Sequence, residues 1–362
     1  MRIAMIRTDW ADNGERVRYF GGVTYYRLHK PAEALRKLGH TVDIYGKELE
    51  EYGTYEEQLT HIFTNYDIVV TKQVDNYGGA SGMIAASNYF KKPLIVDLDD
   101  NHLKVPKANP ASNLYAKGTD KRSIVAAYLG MASGLIVSTE PLREEYLRLN
   151  KNITVIPNMN DVNDWVKPEK KGKEGITLGY MGSITHNADL RLILPAIADV
   201  MRRHNDVRFV IIGALTDESA SKLFDKYYDI TDRVEIMAGT QTWKGYAELI
   251  AKSGIDIGLA PLVEDDFNKG KSHIKWMEYA MIGVPTIASR VYPYFKDIQG
   301  KKTIQHLETG MLAKNKKDWV SSIEYLIKEE NRKRIADNAY KYIKENWQYA
   351  GEQWETTLKG FI

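Results

Sequence analysis

Short apolar stretches of strand length alternate with helical patterns along almost the whole sequence. In the first half, apolar runs suited to buried strands occur at residues 2–6, 41–45, 67–71, 94–97, 134–138 and 153–156. In the second half, they recur at residues 176–180, 207–212, 234–237, 255–260 and 285–288. Such alternation is typical of parallel sheets covered by helices on both faces. The sequence therefore predicts an α/β protein.

A polar, lysine-rich stretch divides this alternation into two sets. Pro157 and Asn158 follow the last strand of the first set, and residues 167–175 read KPEKKGKEG, which is typical of a linker. The chain has 362 residues, which is long for one core and suits two domains. We predict an N-terminal domain, a linker, a C-terminal domain and a last helix that crosses back to the first domain, at residues 1–157, 158–175, 176–345 and 346–362.

Composition and charge narrow the class of protein. Lys plus Arg total 50 and Asp plus Glu total 48, so the net charge is +2, and no stable nucleic-acid complex is expected. Cysteine is absent, which excludes disulfides and cysteine-ligated zinc. The apolar runs are far shorter than the ~20 residues that span a bilayer, and the N-terminus lacks the apolar centre of a signal peptide. We expect a cytoplasmic enzyme, and peripheral contact with the inner face of the membrane stays open.

The segment from Phe267 to Ser289 holds the most informative group of polar residues. Lys271 and Lys275 lie near the start of a short helical pattern, and Ser272 offers a hydroxyl there. Helix N-termini and lysine charges both attract phosphate. Because Lys271, Lys275 and Glu278 are spaced four and three apart, we predict that they share one helix face, suited to a diphosphate and a ribose. The alternative is a solvated helix with Lys–Glu ion pairs and no ligand.

This segment resembles the donor-site signature of retaining GT-B glycosyltransferases of family 4, in the branch with a Lys-Ser-x-x-Lys-x-x-Glu-Tyr pattern. The resemblance implies two Rossmann-like, doubly wound domains facing a central cleft, with the acceptor bound by the first domain and a UDP- or GDP-sugar donor by the second. It implies catalytic roles for Lys271 and Lys275, a donor contact for Ser272 and ribose binding by Glu278. One departure is Gly270, where the broader family usually has a glutamate.

Two glycine segments extend the resemblance. Gly182 and Ser183 follow the first strand of the second set and resemble the family's diphosphate-binding turn. His186, just after them, is a candidate catalytic residue, and capping or packing of the next helix is the equal alternative. Gly21 and Gly22 resemble the family's glycine loop, which approaches donor phosphate or acceptor. The alternative for this pair is a flexible connection.

The nucleobase is expected to lie against a loop of the second domain. The family reads the base from the loop after the strand that corresponds to residues 234–237. Thr240 and Gln241 are the candidates in this loop. Trp243 is a further candidate, although an aromatic residue at a helix start more often packs in the core.

The acidic run Asp97, Asp99 and Asp100 allows two interpretations. It reads as the Asp-x-Asp motif that holds Mg²⁺ or Mn²⁺ in the GT-A fold. The two-sheet pattern and the lysine cluster instead make a metal redundant, so no metal or cofactor is required. We favour Asp99 or Asp100 as acceptor-side hydrogen-bond acceptors, with Asp100 as a candidate catalytic residue. Ion binding or simple helix capping stays open.

The resemblance implies a hexosyltransferase that moves a sugar from a nucleoside diphosphate to an acceptor hydroxyl with retained configuration. A nucleotide-sugar epimerase of the same fold and a glycosyltransferase acting on modified nucleic-acid bases stay open as alternatives. A non-enzymatic relative that keeps the fold is a third. The acceptor is a glycan, a lipid carrier, a protein or a modified nucleic acid, and the sequence does not distinguish them.

Overall fold

The computed structural model describes residues 1–7, 22–165, 168, 175–182, 187–213, 222–240 and 242–362. The chain divides into two units, which do not follow the sequence strictly. The first unit comprises Met1–Asn158, Gly270–Ser272 and Tyr349–Ile362, and the second comprises Met159–Lys269 and His273–Gln348. A three-residue segment and the end of the chain are therefore contributed to the first unit by the second half of the sequence.

A parallel sheet forms the centre of the first unit. Within the described residues its strands are β1 (Arg2–Ile6), β2 (Thr41–Tyr45), β3 (Ile68–Thr71), β4 (Leu94–Leu98), β5 (Gly134–Val137) and β6 (Ile153–Val155). Their order is β2-β1-β3-β4-β5-β6, and every neighbouring pair is parallel. The strand order reverses between β1 and β3, and ligands of open α/β sheets bind outside the carboxyl ends of the strands at such a point.

The second unit repeats this plan. Its strands, within the described residues, are β7 (Ile176–Gly182), β8 (Val207–Gly213), β9 (Val234–Met237), β10 (Ile257–Ala260), β11 (Thr286–Ser289) and β12 (Met311–Ala313). Their order is β12-β11-β10-β7-β8-β9, again with parallel neighbours. The order reverses between β7 and β10, so Gly182, the last residue of β7, lies at a switch point of this sheet.

Helices occupy most connections between the strands. In the described residues they are α1 (Gly22–Thr24), α2 (Lys30–Lys37), α3 (Tyr55–Asn65), α4 (Tyr77–Phe90), α5 (Asp120–Met131), α6 (Glu140–Tyr146), α7 (Asn187–Arg203), α8 (Trp243–Lys252), α9 (Ile274–Met281), α10 (Tyr292–Phe295), α11 (Lys316–Ile327), α12 (Glu329–Asn346) and α13 (Gly351–Lys359). A π-helical turn, Tyr25–His29, joins α1 to α2. Shorter 3-10 segments are Lys47–Tyr52, Pro110–Asn113, Val162–Asp164, Asp225–Arg233 and Asn268–Gly270. No helix in these ranges is both long and apolar enough to cross a membrane.

Side-chain alternation along β1 explains why helices cover both faces of the first sheet. Ala4 and Ile6 belong to one hydrophobic cluster, whereas Ile3 and Met5 belong to the other. Successive residues of a strand point to opposite faces, so a strand with apolar residues on both faces needs cover on both sides. The helix α13 supplies part of that cover, because Trp354 is buried in the same cluster as Ile3.

The predicted α/β class is confirmed, and the strand boundaries differ from the predicted ones by two residues at most. One strand, β12, was not predicted. It is three residues long and, among the strands of the described ranges, pairs only with β11 at the edge of its sheet. A strand this short shows too little apolar periodicity to be read from sequence.

Candidate active site

The segment Gly270–Ser272 is held in the first unit by side chains of that unit. Thr139, just before α6, donates its hydroxyl to the carbonyl oxygen of Gly270 at 2.9 Å. Lys271 Nζ lies 2.5 Å from Asp100 Oδ1, and 20% of the lysine and 34% of the aspartate side chain are exposed. A partly exposed ion pair of this kind contributes only ~0–1 kcal/mol. The pair therefore positions the Lys271 ammonium, and replacing Asp100 by another anion costs little free energy.

Packing explains the glycine at position 270. A Cβ on Gly270 would lie 2.8 Å from Cδ2 of Leu142 and 3.5 Å from Cβ of Asn101. Leu142 is a fully buried residue of α6. The glutamate that the broader family usually has at this position would therefore displace a core side chain, which costs about 1–3 kcal/mol in a well-packed core.

The helix that carries the lysine motif starts later than its spacing suggests. Helix α9 begins at Ile274, with His273 at its N-cap, so Lys271 lies outside the helix. The prediction that Lys271, Lys275 and Glu278 share one helix face is wrong, and only the last two lie on α9. The reason is that residues 270–272 are bonded to side chains of the first unit before the helix begins.

Ser272 is bonded to a buried asparagine. Asn158 is 1% exposed, and its Nδ2 donates to Ser272 Oγ at 2.9 Å. Its Oδ1 accepts from Arg27 Nη1 at 3.0 Å, and the same nitrogen donates to the carbonyl oxygen of Ile156 at 2.7 Å. Arg27, in the π-helical turn before α2, is itself 1% exposed. A continuous line of hydrogen bonds therefore joins Arg27 to Ser272.

The carboxylates in and just after the end of β4 are paired with buried cations. Asp97 is fully buried and accepts from Arg27 Nε at 3.0 Å and Nη2 at 2.6 Å, and from Lys72 Nζ at 2.9 Å. Lys72 Nζ also lies 3.0 Å from Asp99 Oδ1. Burial opposes ionisation of Asp99, but the charges of Lys72 and Arg27 outweigh it and lower the pKa of the carboxyl. Two cations thus neutralise two carboxylates, which buried charges require.

This pairing bears on the two interpretations of the acidic run. Asp97, Asp99 and Asp100 each bond a lysine or an arginine. In the described part of the chain, no group of three or more histidine, aspartate or glutamate side chains is arranged to hold a metal ion. The capping alternative is wrong, because residues 99–101 follow β4 without starting a helix.

Glu278 lies on α9 and is almost fully buried, at 4% exposure. Tyr246, on α8, donates its hydroxyl to Glu278 Oε2 at 2.8 Å and lies 3.8 Å from Met181 Sδ. Burial, followed by the charge of Glu278, raises the pKa of Tyr246 well above its ordinary value. The phenol therefore stays protonated and donates to the carboxylate, which fixes its orientation.

Gly182 has a packing role whatever it binds. A Cβ on Gly182 would lie 2.3 Å from the hydroxyl of Tyr180. The neighbouring strand ends in Gly213, which has a φ of +114° and whose Cβ would lie 2.0 Å from the carbonyl oxygen of Gly182. Glycine at both positions lets β7 and β8 end side by side.

The other predicted site residues are distributed over both units. Gly22 begins α1, and a Cβ there would meet nothing within 4 Å. Thr240 is exposed, and its hydroxyl donates to the carbonyl oxygen of Thr242 at 3.2 Å. Lys275 lies in the first turn of α9. The remaining candidates, Gly21, Ser183, His186 and Gln241, lie outside the described residues.

Trp243 packs as a core residue. It is 7% exposed, and its ring meets that of Trp165 edge to face, with centroids 5.1 Å apart. Trp165 Nε1 in turn donates to Asn160 Oδ1 at 2.7 Å. This packing agrees with the core alternative weighed for Trp243 and leaves Thr240 as the described candidate of its loop.

The sequence interpretation missed Arg27, Lys72, Asn158 and Tyr246. A signal existed for Lys72, because a lysine directly after a strand that begins Ile-Val-Val lies at the carboxyl end of a buried strand. Arg27 lies in a stretch, Tyr25–Leu28, whose burial only the structure reveals. Tyr246 and Asn158 carry no such signal, since their partners are distant in the sequence.

Solved structures of other proteins are similar to this chain over almost its whole length. The glycosyltransferase of Rickettsia africae has a TM-score of 0.66 and 14% identity, over 99% of this chain and 96% of that one. HepE of Anabaena, solved with UDP and glucose, has a TM-score of 0.65 and 14% identity, over 98% and 99%. The catalytic domain of starch synthase IV from Arabidopsis thaliana, bound to ADP and acarbose, has a TM-score of 0.65 and 11% identity, over 99% of each chain. These similarities establish the GT-B fold.

Sequence comparison adds the family. No curated protein matches the chain. The family model described as glycosyl transferases group 1 matches residues 161–342, which is half of the chain and contains the segment from Lys271 to Tyr279. The predicted resemblance and GT-B fold are confirmed. The chain therefore belongs to the glycosyl transferases group 1 family, the retaining GT-B glycosyltransferases that use nucleotide-sugar donors.

Proposed function

We propose that this glycosyltransferase uses a UDP-sugar and that residues 271–278 bind its diphosphate and ribose. The observation that carries the proposal is the composition of this one segment. It combines the ammonium of Lys271, the hydroxyl of Ser272, Lys275 at a helix start and the buried carboxylate of Glu278. UDP is bound in the similar structure of HepE, which supports a uridine donor for this chain.

The chemistry of the donor motif follows from charge. When the bond between the anomeric carbon and the phosphate oxygen breaks, negative charge develops on the diphosphate, and the two lysines stabilise it. The acceptor oxygen attacks the anomeric carbon from the same face, and its proton passes to the departing phosphate oxygen. The protein then needs no nucleophile of its own, and its contribution is positioning and electrostatics.

Lys271 has a partner that a donor must share or replace. Its ammonium lies against Asp100, whose carboxylate is partly exposed. A diphosphate carries more negative charge than one carboxylate, so we propose that Lys271 turns from Asp100 to the diphosphate when donor binds. Asp100, released from the pair, then accepts a hydrogen bond from the hydroxyl of the molecule that receives the sugar.

We expect Lys271→Ala to lower turnover by about 100-fold or more, because removal of one group that stabilises developing charge has this order of effect. Lys269→Ala is the matched control, since this lysine is two residues away, 49% exposed, and bonded to Asp266. Steady-state kinetics and titration calorimetry with UDP and GDP measure both variants. Equal activity of the two variants would show that the proposed donor site is wrong.

The acceptor requires a screen. Purified protein is incubated with UDP- and GDP-sugars and with glycans, lipid carriers, peptides and modified nucleotides, and products are identified by mass spectrometry. A transferase releases nucleoside diphosphate when acceptor is added. Isomerised donor without acceptor would instead identify an epimerase.

A further inference from the structure

The orientation of the Asn158 amide is fixed by chemistry. Arg27 can only donate hydrogen bonds, so the Asn158 atom 3.0 Å from its Nη1 is the oxygen. The amide nitrogen therefore faces Ser272 Oγ, at 2.9 Å, and donates to it. Arg27 is fixed in turn by Asp97 and by the carbonyl oxygen of Ile156. At most 1% of the surface is exposed in each of the four residues Arg27, Asp97, Ile156 and Asn158.

This direction determines what the Ser272 hydroxyl can offer a ligand. A hydroxyl has one hydrogen and two lone pairs. Because the Asn158 amide occupies a lone pair, the hydrogen of Ser272 points elsewhere. Among the described residues, the hydroxyl has this one hydrogen bond. Its hydrogen is thus available to an oxygen acceptor, and a phosphate oxygen is such an acceptor.

We propose that Arg27 and Asn158 are positioning residues that hold the Ser272 hydroxyl as a hydrogen-bond donor to the donor diphosphate. The proposal rests on the proposed function, in which Ser272 contacts the diphosphate. It assigns a ligand-directed role to a buried arginine and asparagine that do not themselves contact the donor. It also explains why a buried guanidinium is paired with both a carboxylate and an amide oxygen.

The substitution Asn158→Asp reverses the direction of the hydrogen bond between residue 158 and the Ser272 hydroxyl. The new carboxylate still accepts from Arg27, but its second oxygen accepts from Ser272 and turns the hydroxyl hydrogen inward. Because Arg27 is already paired with Asp97, the substitution also adds one negative charge. Lone pairs of Ser272 then face the phosphate. We expect the dissociation constant for UDP to rise by about 10- to 100-fold, the range for a lost hydrogen bond to a charged group.

A double-mutant cycle separates the hydroxyl from the added charge. Ser272→Ala is expected to weaken UDP binding by about 10-fold, and Ser272→Thr, which keeps the hydroxyl, to restore most of it. If Asn158 acts through the hydroxyl, Asn158→Asp weakens binding in the parent but changes it by less than about twofold in the Ser272→Ala background. Titration calorimetry with UDP provides the dissociation constants, and circular dichroism verifies folding.

The outcomes distinguish the inference from the proposed function. If Ser272→Ala leaves UDP affinity unchanged, the diphosphate role of Ser272 is wrong, and the inference fails with it. If Ser272→Ala weakens binding but Asn158→Asp does not, or does so equally in both backgrounds, the inference fails and the proposed function stands. Should Asn158→Asp not fold, Asn158→Ala frees the hydroxyl to rotate. A loss of about threefold, confined to the background that keeps Ser272, would then support the inference, and its absence would overturn it.

Discussion

Single residues of the proposed donor site, residues 271–278, are oriented by neighbours outside this segment. Glu278 is oriented by Tyr246, which lies on another helix and donates to its Oε2 at 2.8 Å. A buried carboxylate whose orientation is fixed loses less rotational freedom when it binds a ribose hydroxyl. Sequence position therefore identifies the carboxylate, whereas its orientation for the proposed ribose contact depends on a tyrosine 32 residues away.

We expect Tyr246→Phe to weaken UDP binding by about three- to tenfold, because the carboxylate loses its fixed hydrogen bond, and to leave kcat nearly unchanged. Tyr279→Phe is the matched control. Its hydroxyl donates to the carbonyl oxygen of Gly179 at 2.9 Å, so its loss affects folding and not the carboxylate. Titration calorimetry with UDP compares the two variants with Glu278→Ala. Equal losses for Tyr246→Phe and Tyr279→Phe would contradict the positioning role.

At the scale of elements, sequence patterns predicted most strands and misplaced one helix start. Strands such as β3 and β4 are buried throughout and begin with three apolar residues, so their pattern is unambiguous. The start of α9 depends instead on long-range hydrogen bonds that hold residues 270–272 in the first unit. The roles of Arg27 and Asn158 were unpredictable for the same reason, since 131 residues separate them in sequence.

The N-cap of α9 is an unusual histidine. His273 is fully buried, and neither ring nitrogen has a hydrogen-bond partner among the residues that the structure describes. Its ring lies against those of Trp347 and Trp276, with centroids 4.1 Å and 5.9 Å away. Burial lowers the pKa of His273 from 6.5 to about 3. Below about pH 6.5 the unfolded chain therefore binds a proton that the folded chain does not. The free energy of unfolding then decreases as the pH is lowered, by at most ~1.4 kcal/mol per pH unit.

We expect His273→Phe to reduce the loss of unfolding free energy between pH 7 and pH 5, because the aromatic replacement cannot be protonated. Within the described part of the chain the substitution removes no hydrogen bond, so stability at pH 7 should change by less than about 1.5 kcal/mol. His204→Gln serves as the control, since His204 is partly exposed and bonded to Glu324. Urea denaturation at each pH gives the free energies. An acid sensitivity equal to that of the parent would contradict the assignment to His273.

At the scale of the whole molecule, the end of the chain stabilises the unit in which the chain begins. Helix α13 belongs to the first unit, and its Trp354 is 1% exposed. The Trp354 ring lies 5.4 Å from the guanidinium carbon of Arg27 and packs in the cluster that contains Ile156. The last helix thus covers the sheet face that contains Ile156, and its Trp354 lies beside Arg27, where the line of hydrogen bonds to Ser272 begins.

We expect Trp354→Ala to destabilise the first unit by about 3–5 kcal/mol, the usual cost of truncating a buried tryptophan, and to leave the second unit unchanged. Since the two units have separate cores, calorimetry should resolve their transitions, and only one should move to lower temperature. Glu352→Ala, at an exposed position of the same helix, should move neither transition. If Trp354→Ala lowers both transitions equally, the two units unfold together, and the prediction of separate transitions is wrong.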